Sequence, residues 1–321
     1  GYDKTAFEKM LEIKGDSDHT KLIDMLTDLN DYSIGIEDVL KEHFDEENIV
    51  YWMAFQILMG NVDTQNRNVY LYSPLNSDIW YFIAWDNDGC LMRPEYELRN
   101  FSDQNSWEKG ISNYWGNILF QRCLKSRSFR EKLNDAILDL REYLNKDMLT
   151  SKIESYKNVL KPYLYLMPDA EYEPLTSEQY DQIAASLPDE IEKNYQLYLE
   201  SLETPMPFYI GVPTIDGDKL KFNWDVSYDL DAEDITYSVE VAGDYLFRDV
   251  IYQNTTLTVP EAEMDLPKAG QYFVRVRATN TSGKTQDAFD YYVTDEGKYY
   301  GMRCFYITED STVEEDDYEE G

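Results

Sequence analysis

The feature that most constrains the fold of this chain is a change of hydrophobic period at Glu203-Thr204-Pro205-Met206-Pro207. Upstream, apolar residues recur every three or four positions; downstream they alternate, and no single regular element satisfies both periods. Proline removes a backbone donor and blocks continuation of a helix, so Pro205 and Pro207 end the helical region there. The chain therefore reads as two units, residues 1–203 and 204–296, with residues 297–321 as an acidic tail or linker. A length of 321 residues suits two domains, and 43% hydrophobic with 15% aromatic residues supplies a core for each.

In the first unit, Leu22, Ile23, Met25, Leu26 and Leu29 predict a helix over Lys21–Leu29, and Ile49–Met59 is an apolar helix-like run. Phe129, Leu133, Ile137, Leu140 and Leu144 mark an amphipathic helix. Two more helices are expected around Lys152–Leu166 and Ser177–Leu202, the second with Thr176 and Ser177 as cap candidates near Glu178 and Gln179. Between them, Val69, Tyr70, Leu71, Tyr72 and Leu75, then Ile79, Tyr81, Phe82 and Ile83 around a polar turn, predict a β-hairpin whose second strand ends at Asp86.

That hairpin carries the candidate chemistry. Asp63 and Asn68 have the Asp-x-x-x-x-Asn spacing of a kinase catalytic loop, where the aspartate accepts the hydroxyl proton and the asparagine holds a magnesium ion. Asp86 closes the hairpin in Trp-Asp-Asn-Asp-Gly. Phosphoryl transfer needs a divalent cation bridging phosphate oxygens, and hard cations take oxygen ligands such as Asp86 and the Asn68 side-chain carbonyl. The rival for this segment is a calcium loop, with Asp86, Asp88, Gly89 and Glu95 at positions three, five, six and twelve of an EF-hand frame. Ala84 at position one and a preceding strand in place of a helix count against it. A glycosidase using Asp63 and Asp86 leaves the Asn68 spacing unexplained.

The run FDEENIVYWMAFQILMGNVDTQNRNVYLY followed by IAWDNDG resembles the core of the CotH family, spore-coat and secreted proteins with an atypical, minimal protein-kinase fold. The segment from NILFQRCLKSRSFREKL to about Tyr165 is similar to that family's closing helices, so the resemblance covers roughly residues 1 to 200. It implies ATP and Mg2+ or Mn2+ as cofactors, a coat or surface protein as substrate, Asp63 as catalytic aspartate, and Asn68 and Asp86 as nucleotide-metal ligands. Asp88 is offered as a further metal carboxylate. The family usually follows Trp-Asp-x-Asp with a small residue and Phe-Gly, whereas this chain has Gly89-Cys90-Leu91-Met92, which leaves metal geometry open on that side. A kinase also needs an upstream lobe with a phosphate-pairing lysine. Lys4, Lys9, Lys14 and Lys21 precede the loop without a Gly-rich strand-loop-strand, so the chain reads as a fragment whose nucleotide lobe lies upstream, a poor kinase by itself.

Downstream, LKFNWDV, ITYSVEVA, FRDVIYQ, TTLTVP, QYFVRVRAT and DAFDYYV are short strand patterns separated by turn residues, the signature of a β-sandwich. Trp224 and LPKAGQYFVRVRATNTSG closely resemble a fibronectin type III domain, with Tyr272 at that family's corner tyrosine. Such a domain implies protein contacts or spacing, not catalysis. ATNTSGKT, Ala278–Thr285, matches a relaxed phosphate-loop pattern but lies between two strands, so it reads as a hairpin turn. KYYGMRCFYI is a candidate for one more strand or a contact patch, and TEDSTVEEDDYEEG reads as disordered or a linker.

A net charge of −34 argues against nucleic acid or anionic lipid as partner. No run of apolar residues is long enough to span a membrane. Cys90, Cys123 and Cys304 lack C-x-x-C spacing, and His19 and His43 are the only histidines, so neither a zinc site nor a histidine-based hydrolase is expected. The fold expected is α+β, a mainly helical kinase-like C-terminal lobe with a β-hairpin catalytic segment, joined to an all-β immunoglobulin-like sandwich. Two functions are expected to compete: a CotH-type protein kinase acting at the cell surface or spore coat, and a non-catalytic surface or adhesion protein that keeps the fold.

Overall fold

The computed structural model describes residues 18–65, 67–98, 107–294 and 297–315; Lys4, Lys9, Lys14 and the last part of the acidic tail lie outside them. The chain is α+β. Helices α1 (Thr20–Asn30), α2 (Ile36–His43) and α3 (Glu46–Met59) precede strands β1 (Tyr70–Tyr72) and β2 (Tyr81–Ile83). After α4 (Arg93–Leu98) come α5 (Ile118–Lys125), α6 (Arg127–Tyr143), α7 (Lys146–Leu164) and α8 (Ser177–Glu203). Among the described residues no helix is long and apolar enough to cross a membrane.

Helix α3 is the centre of the first unit. Ile49, Val50, Trp52, Met53, Ala54, Ile57 and Leu58 are all buried, so it is apolar nearly all round, as a helix enclosed by others must be. The Asp45 side chain caps it by accepting from Asn48 N at 2.9 Å. It stops at Gly60, whose φ of +60° closes the helix in the left-handed region that glycine enters without Cβ strain. At the far end of the unit, Thr176 and not Ser177 caps α8: its hydroxyl accepts from Gln179 N at 3.2 Å and its own N–H donates to Gln179 Oε1 at 2.9 Å.

The hairpin is shorter than the alternation predicts. Only Tyr70–Tyr72 and Tyr81–Ile83 are paired, with Tyr70 opposite Ile83 and Tyr72 opposite Tyr81. The second strand ends at Ile83 rather than Asp86, and Leu75 lies exposed in the turn. Two strands alone are marginal in water, and this pair is held from outside. Asn48 on α3 brackets Phe82, its Oδ1 accepting from Phe82 N at 2.6 Å and its Nδ2 donating to Phe82 O at 3.2 Å. Lys21 on α1 donates to Pro74 O at 2.6 Å and to Ser77 O, fastening the turn. His43 is buried and bonded to Asp28 through Nε2 at 2.8 Å, a packing role.

The second unit has two antiparallel sheets around one core. The smaller runs β3 (Thr214–Asp216), β4 (Lys219–Asn223) and β7 (Glu261–Asp265). The larger has the order β13-β12-β8-β5-β6, from Val313–Glu315, Met302–Ile307, Gly270–Asn280, Ile235–Ala242 and Val250–Leu257, with β9 (Thr285–Asp287) on β8. Leu220 and Phe222 face Val239, Val241, Val274, Val276 and Phe305, all buried. FRDVIYQ and TTLTVP, expected as two strands, contribute to the single strand β6, and β7 was not expected at all. The expected tail at 297–321 is corrected: β10 (Tyr291–Thr294) and β11 (Gly297–Tyr300) form a ribbon, and β12 pairs with β8 along Met302–Ile307. An alternating apolar segment completes the exposed edge of β8, so its acidic surroundings do not decide its fate. ATNTSGKT is a hairpin turn, as expected; its Thr281 and Ser282 hydroxyls donate to the Glu233 carboxylate, each at 2.6 Å.

The breaker between the units is not an exposed linker. Thr204 through Phe208 are buried, and Met206, Phe289 and Tyr300 belong to the core of the helical unit.

Candidate active site

Asp63 lies in the 3-10 turn Val62–Gln65 directly after α3, with an exposed side chain. Asn68 and Asp86 lie just outside the last hairpin pair, Tyr70 opposite Ile83, and so flank the same open end of the hairpin. Both have positive φ, 52° and 49°, a region that non-glycine residues occupy mainly as Asn or Asp and that clusters at functional sites. Asp88 is exposed in the 3-10 turn Asn87–Gly89. At Gly89 a Cβ would stand 3.3 Å from Asp63 Oδ2 and 2.9 Å from Asn61 Oδ1. The fold thus brings the end of the Asp86–Gly89 turn against the Asp63 carboxylate. Among the described residues no three His, Cys, Asp or Glu side chains converge to hold a metal ion, so Asp63, Asp86 and Asp88 do not form a carboxylate cage.

What holds the two loops together is a set of neutral amides. Gln56, fully buried on α3, donates to Asn87 Oδ1 at 3.0 Å and accepts from Asn61 Nδ2 at 3.0 Å. Asn61 Nδ2 also reaches Asn87 Oδ1 at 3.3 Å, while Asn61 Oδ1 accepts from Asp63 N at 3.3 Å. One buried asparagine therefore fixes the backbone of the candidate catalytic aspartate and the turn after Asp86. Burial, reinforced by the nearby Asp88 charge, pushes the Cys90 thiol up to about 12, so it is a neutral packing group. Burial also raises the Tyr114 hydroxyl, which shares a hydrogen bond with Thr64 at 3.1 Å.

Helix α8 clamps the same segment from behind. Asn194 Nδ2 donates to Leu58 O at 2.8 Å, at the last turn of α3, and its Oδ1 accepts from Arg93 at 2.5 Å. A Cβ at Gly60 would lie 2.7 Å from Asn194 Nδ2, so glycine is required there by space as well as by φ. Glu190, one turn earlier and fully buried, takes Arg93 at 3.3 Å and Lys193 at 2.6 Å. Beside this clamp lies a cavity of 370 Å³ lined by Gly60, Asn61, Gly89, Arg93, Asn113 and Asn194 among others. Sequence reasoning missed Gln56, Asn61, Asn87, Arg93, Glu190 and Asn194. The only signal was polarity in an apolar helix at Gln56; the rest became interpretable once the fold brought them together.

At the lip of the site Tyr70 and Trp85 are exposed with their rings 4.7 Å apart. The carboxylates of Asp63, Asp86 and Asp88 have no ion-pair partner among the described residues. They remain available to a cation.

A family model described as CotH kinase protein matches residues 2–198, more than half of the chain. No curated protein matches it. Among solved structures, surface layer protein SbsC, domains 1-6, is similar at 12% identity and a TM-score of 0.17, over 96% of this chain and 40% of that one. The chain thus spans well under half of that surface layer protein's length, and so low a TM-score carries no argument about fold or function.

Proposed function

The chain belongs to the CotH kinase protein family, and from that premise we propose that it transfers a phosphoryl group from ATP to a serine or threonine hydroxyl of a coat or surface protein. Membership makes the function kinase-related; the acceptor, the cofactors and the residue roles are our reading. Asp63 accepts a hydrogen bond from the attacking hydroxyl and orients it. Asn68 and Asp86 supply oxygen ligands to Mg2+ or Mn2+, with Asp88 as a further carboxylate. When bound, the metal neutralises charge on the phosphate oxygens. Magnesium is commonly held by one or two protein oxygens together with substrate phosphates, which suits an open pair at the hairpin mouth better than a closed carboxylate cage. Tyr70 and Trp85 offer exposed ring surface to the nucleotide base.

The observation that carries this reading is the closeness of the Asp86–Gly89 turn to Asp63, with 3.3 Å between a Cβ at Gly89 and the Asp63 carboxylate. In this reading residues 1–203 form a kinase-like C-terminal lobe. We also read the two-sheet unit as fibronectin type III-like. Support comes from Trp224, buried in its core, and from the Tyr272 hydroxyl, which donates to Lys268 O at 2.9 Å, a corner tyrosine's bond to upstream backbone. Extracellular, cell-surface or spore-coat placement follows from the family.

Calorimetry of ATP with Mg2+ or Mn2+ on the native full-length protein and on its Asp86→Ala variant tests the reading. Metal-dependent binding that Asp86→Ala abolishes supports it. Absence of binding by the native protein favours the second reading, a non-catalytic surface or coat protein that keeps the fold. One observation favours that alternative: the buried aromatic junction between the units, where Trp107 meets Phe289 and Tyr300, ties them together as a coat component requires.

A further inference from the structure

The segment Trp107–Asn117 lies between the candidate catalytic loop and the two-sheet unit, and it is bonded to both. Toward the loop, Asn113 Nδ2 donates to Val62 O at 3.2 Å, Asn117 Nδ2 to Gln65 O at 3.3 Å, and the Tyr114 hydroxyl to Asn61 O at 3.3 Å. Toward the sheets, Trp107 Nε1 donates to Phe289 O at 3.0 Å and the Tyr300 hydroxyl donates to Glu108 Oε2 at 2.8 Å. The Trp107 ring meets Phe289 and Tyr300 edge-on at 5.0 and 6.0 Å, and Trp115 stacks on Tyr228 at 5.4 Å. A Cβ at Gly116 would come within 3.4 Å of the Tyr209 hydroxyl and 3.5 Å of the Phe289 ring, a measure of how closely the second unit approaches.

Apart from the short turn Ser112–Tyr114, this segment has no regular structure. A stretch without its own hydrogen-bond ladder takes its shape from what it is bonded to. Its partners are the catalytic loop, the two-sheet unit and α8, where Ser201 Oγ accepts from Ile111 N at 3.0 Å. Phe289 and Tyr300 belong to the core of the helical unit even though they lie beside the strands, so the second unit supplies side chains that the first requires.

We infer that the two-sheet unit is a positioning element for the loop Asn61–Gln65, acting through Trp107–Asn117, with Trp107 and Tyr300 as positioning residues. The unit expected as a spacer thereby sets the backbone from which Asp63 projects. The geometric part of this inference is independent of the phosphotransfer reading; its consequence for rate rests on that reading.

The test is hydrogen–deuterium exchange on the full chain, comparing wild type with Trp107→Phe, which keeps a ring but loses the indole donor, and Tyr300→Phe, which loses only the hydroxyl. Each variant is expected to raise exchange of the peptide covering residues 61–65 roughly tenfold, as the loss of one buried hydrogen bond predicts. Lys219→Ala, on the smaller sheet, is expected to leave that peptide unchanged. If the wild type phosphorylates, both ring variants lower kcat with KM for ATP unchanged. Wild-type exchange at residues 61–65 in both ring variants overturns the inference. Raised exchange together with a wild type that transfers no phosphate leaves the inference standing and removes the phosphotransfer reading.

Discussion

The two-sheet unit and the catalytic segment solve the same problem, holding polar side chains in place, by different means. On the sheets charge is cancelled locally: Arg275 pairs with Glu240, Arg277 with Asp287 at 2.8 Å, Arg303 with Asp290 at 3.1 Å and Glu315 at 2.6 Å, and Lys219 with Asp265 at 2.6 Å. Around the loop, Gln56, Asn61, Asn87, Asn113 and Asn194 do the fastening, and the nearby carboxylates keep their charge unpaired among the described residues. The difference shows how a site can be rigid and still strongly negative. Amides supply directional hydrogen bonds without neutralising the field, and a group that must meet a divalent cation has to stay uncompensated.

The sharpest way to break this comparison is Asp63→Asn. It is expected to lower ATP-dependent phosphorylation by about 10²–10⁴-fold, with little change in the thermal midpoint because the side chain is exposed. A variant that loses stability in step with activity would show that Asp63 is structural. The next effect lies in the sheets. Burial is the main cause that raises Asp290 above its ordinary 3.8, opposed by the Ile210 N–H and by Arg303. Arg303→Ala therefore leaves a buried carboxylate with one bond fewer and is expected to cost about 2–3 kcal/mol near neutral pH. A raised carboxyl contributes stability that is fully present below its unfolded value and lost as pH climbs through its folded value. The cost of Arg303→Ala should accordingly shrink on acidification toward 3.8 as Asp290 protonates, a trend that unfolding at stepped pH values would reveal or refute.

Asn61→Ala is expected to cost about 1–3 kcal/mol, because it strands the Gln56 carbonyl and the Asp63 amide. If amides fasten the loop, exchange near Asp63 rises with it; unchanged exchange would return the role to packing. The smallest effect belongs to the exposed pair of Lys219 and Asp265. Lys219→Ala should leave the thermal midpoint within about 2 °C of wild type and respond to added salt, and a larger shift would mean that surface pairs carry more of this unit's stability than their exposure suggests.

Much of the fold was legible locally. The runs at Lys21–Leu29, Ile49–Met59 and Phe129–Leu144 are helices because their apolar spacing leaves no other way to bury them, and α8 starts and stops at its capping box and prolines. The hairpin was overestimated because Leu75 and Ile79 continue the alternation, although pairing extends only where Asn48 anchors Phe82. Strands β11 to β13 were misread because acidic composition concealed an apolar alternation whose partner, β8, lies some thirty residues earlier in the chain. In the site, the spacing of Asp63, Asn68 and Asp86 was readable because motif residues lie close in sequence. Arg93, Glu190 and Asn194 were not, since Asn194 meets Leu58 across 136 positions.

By itself the sequence determined two hydrophobic periods, the helices and strands that satisfy them, and a short carboxylate-amide motif between a helix and a hairpin. Those properties depend on neighbours within a few residues, where backbone geometry alone relates side chains. Only the tertiary structure decided that neutral amides hold the loop, that α8 clamps it from behind, and that the buried junction at Thr204–Phe208 docks the second unit against Trp107–Asn117. Such contacts depend on which distant surfaces meet when each unit buries its apolar face, and no local pattern along the chain encodes that choice.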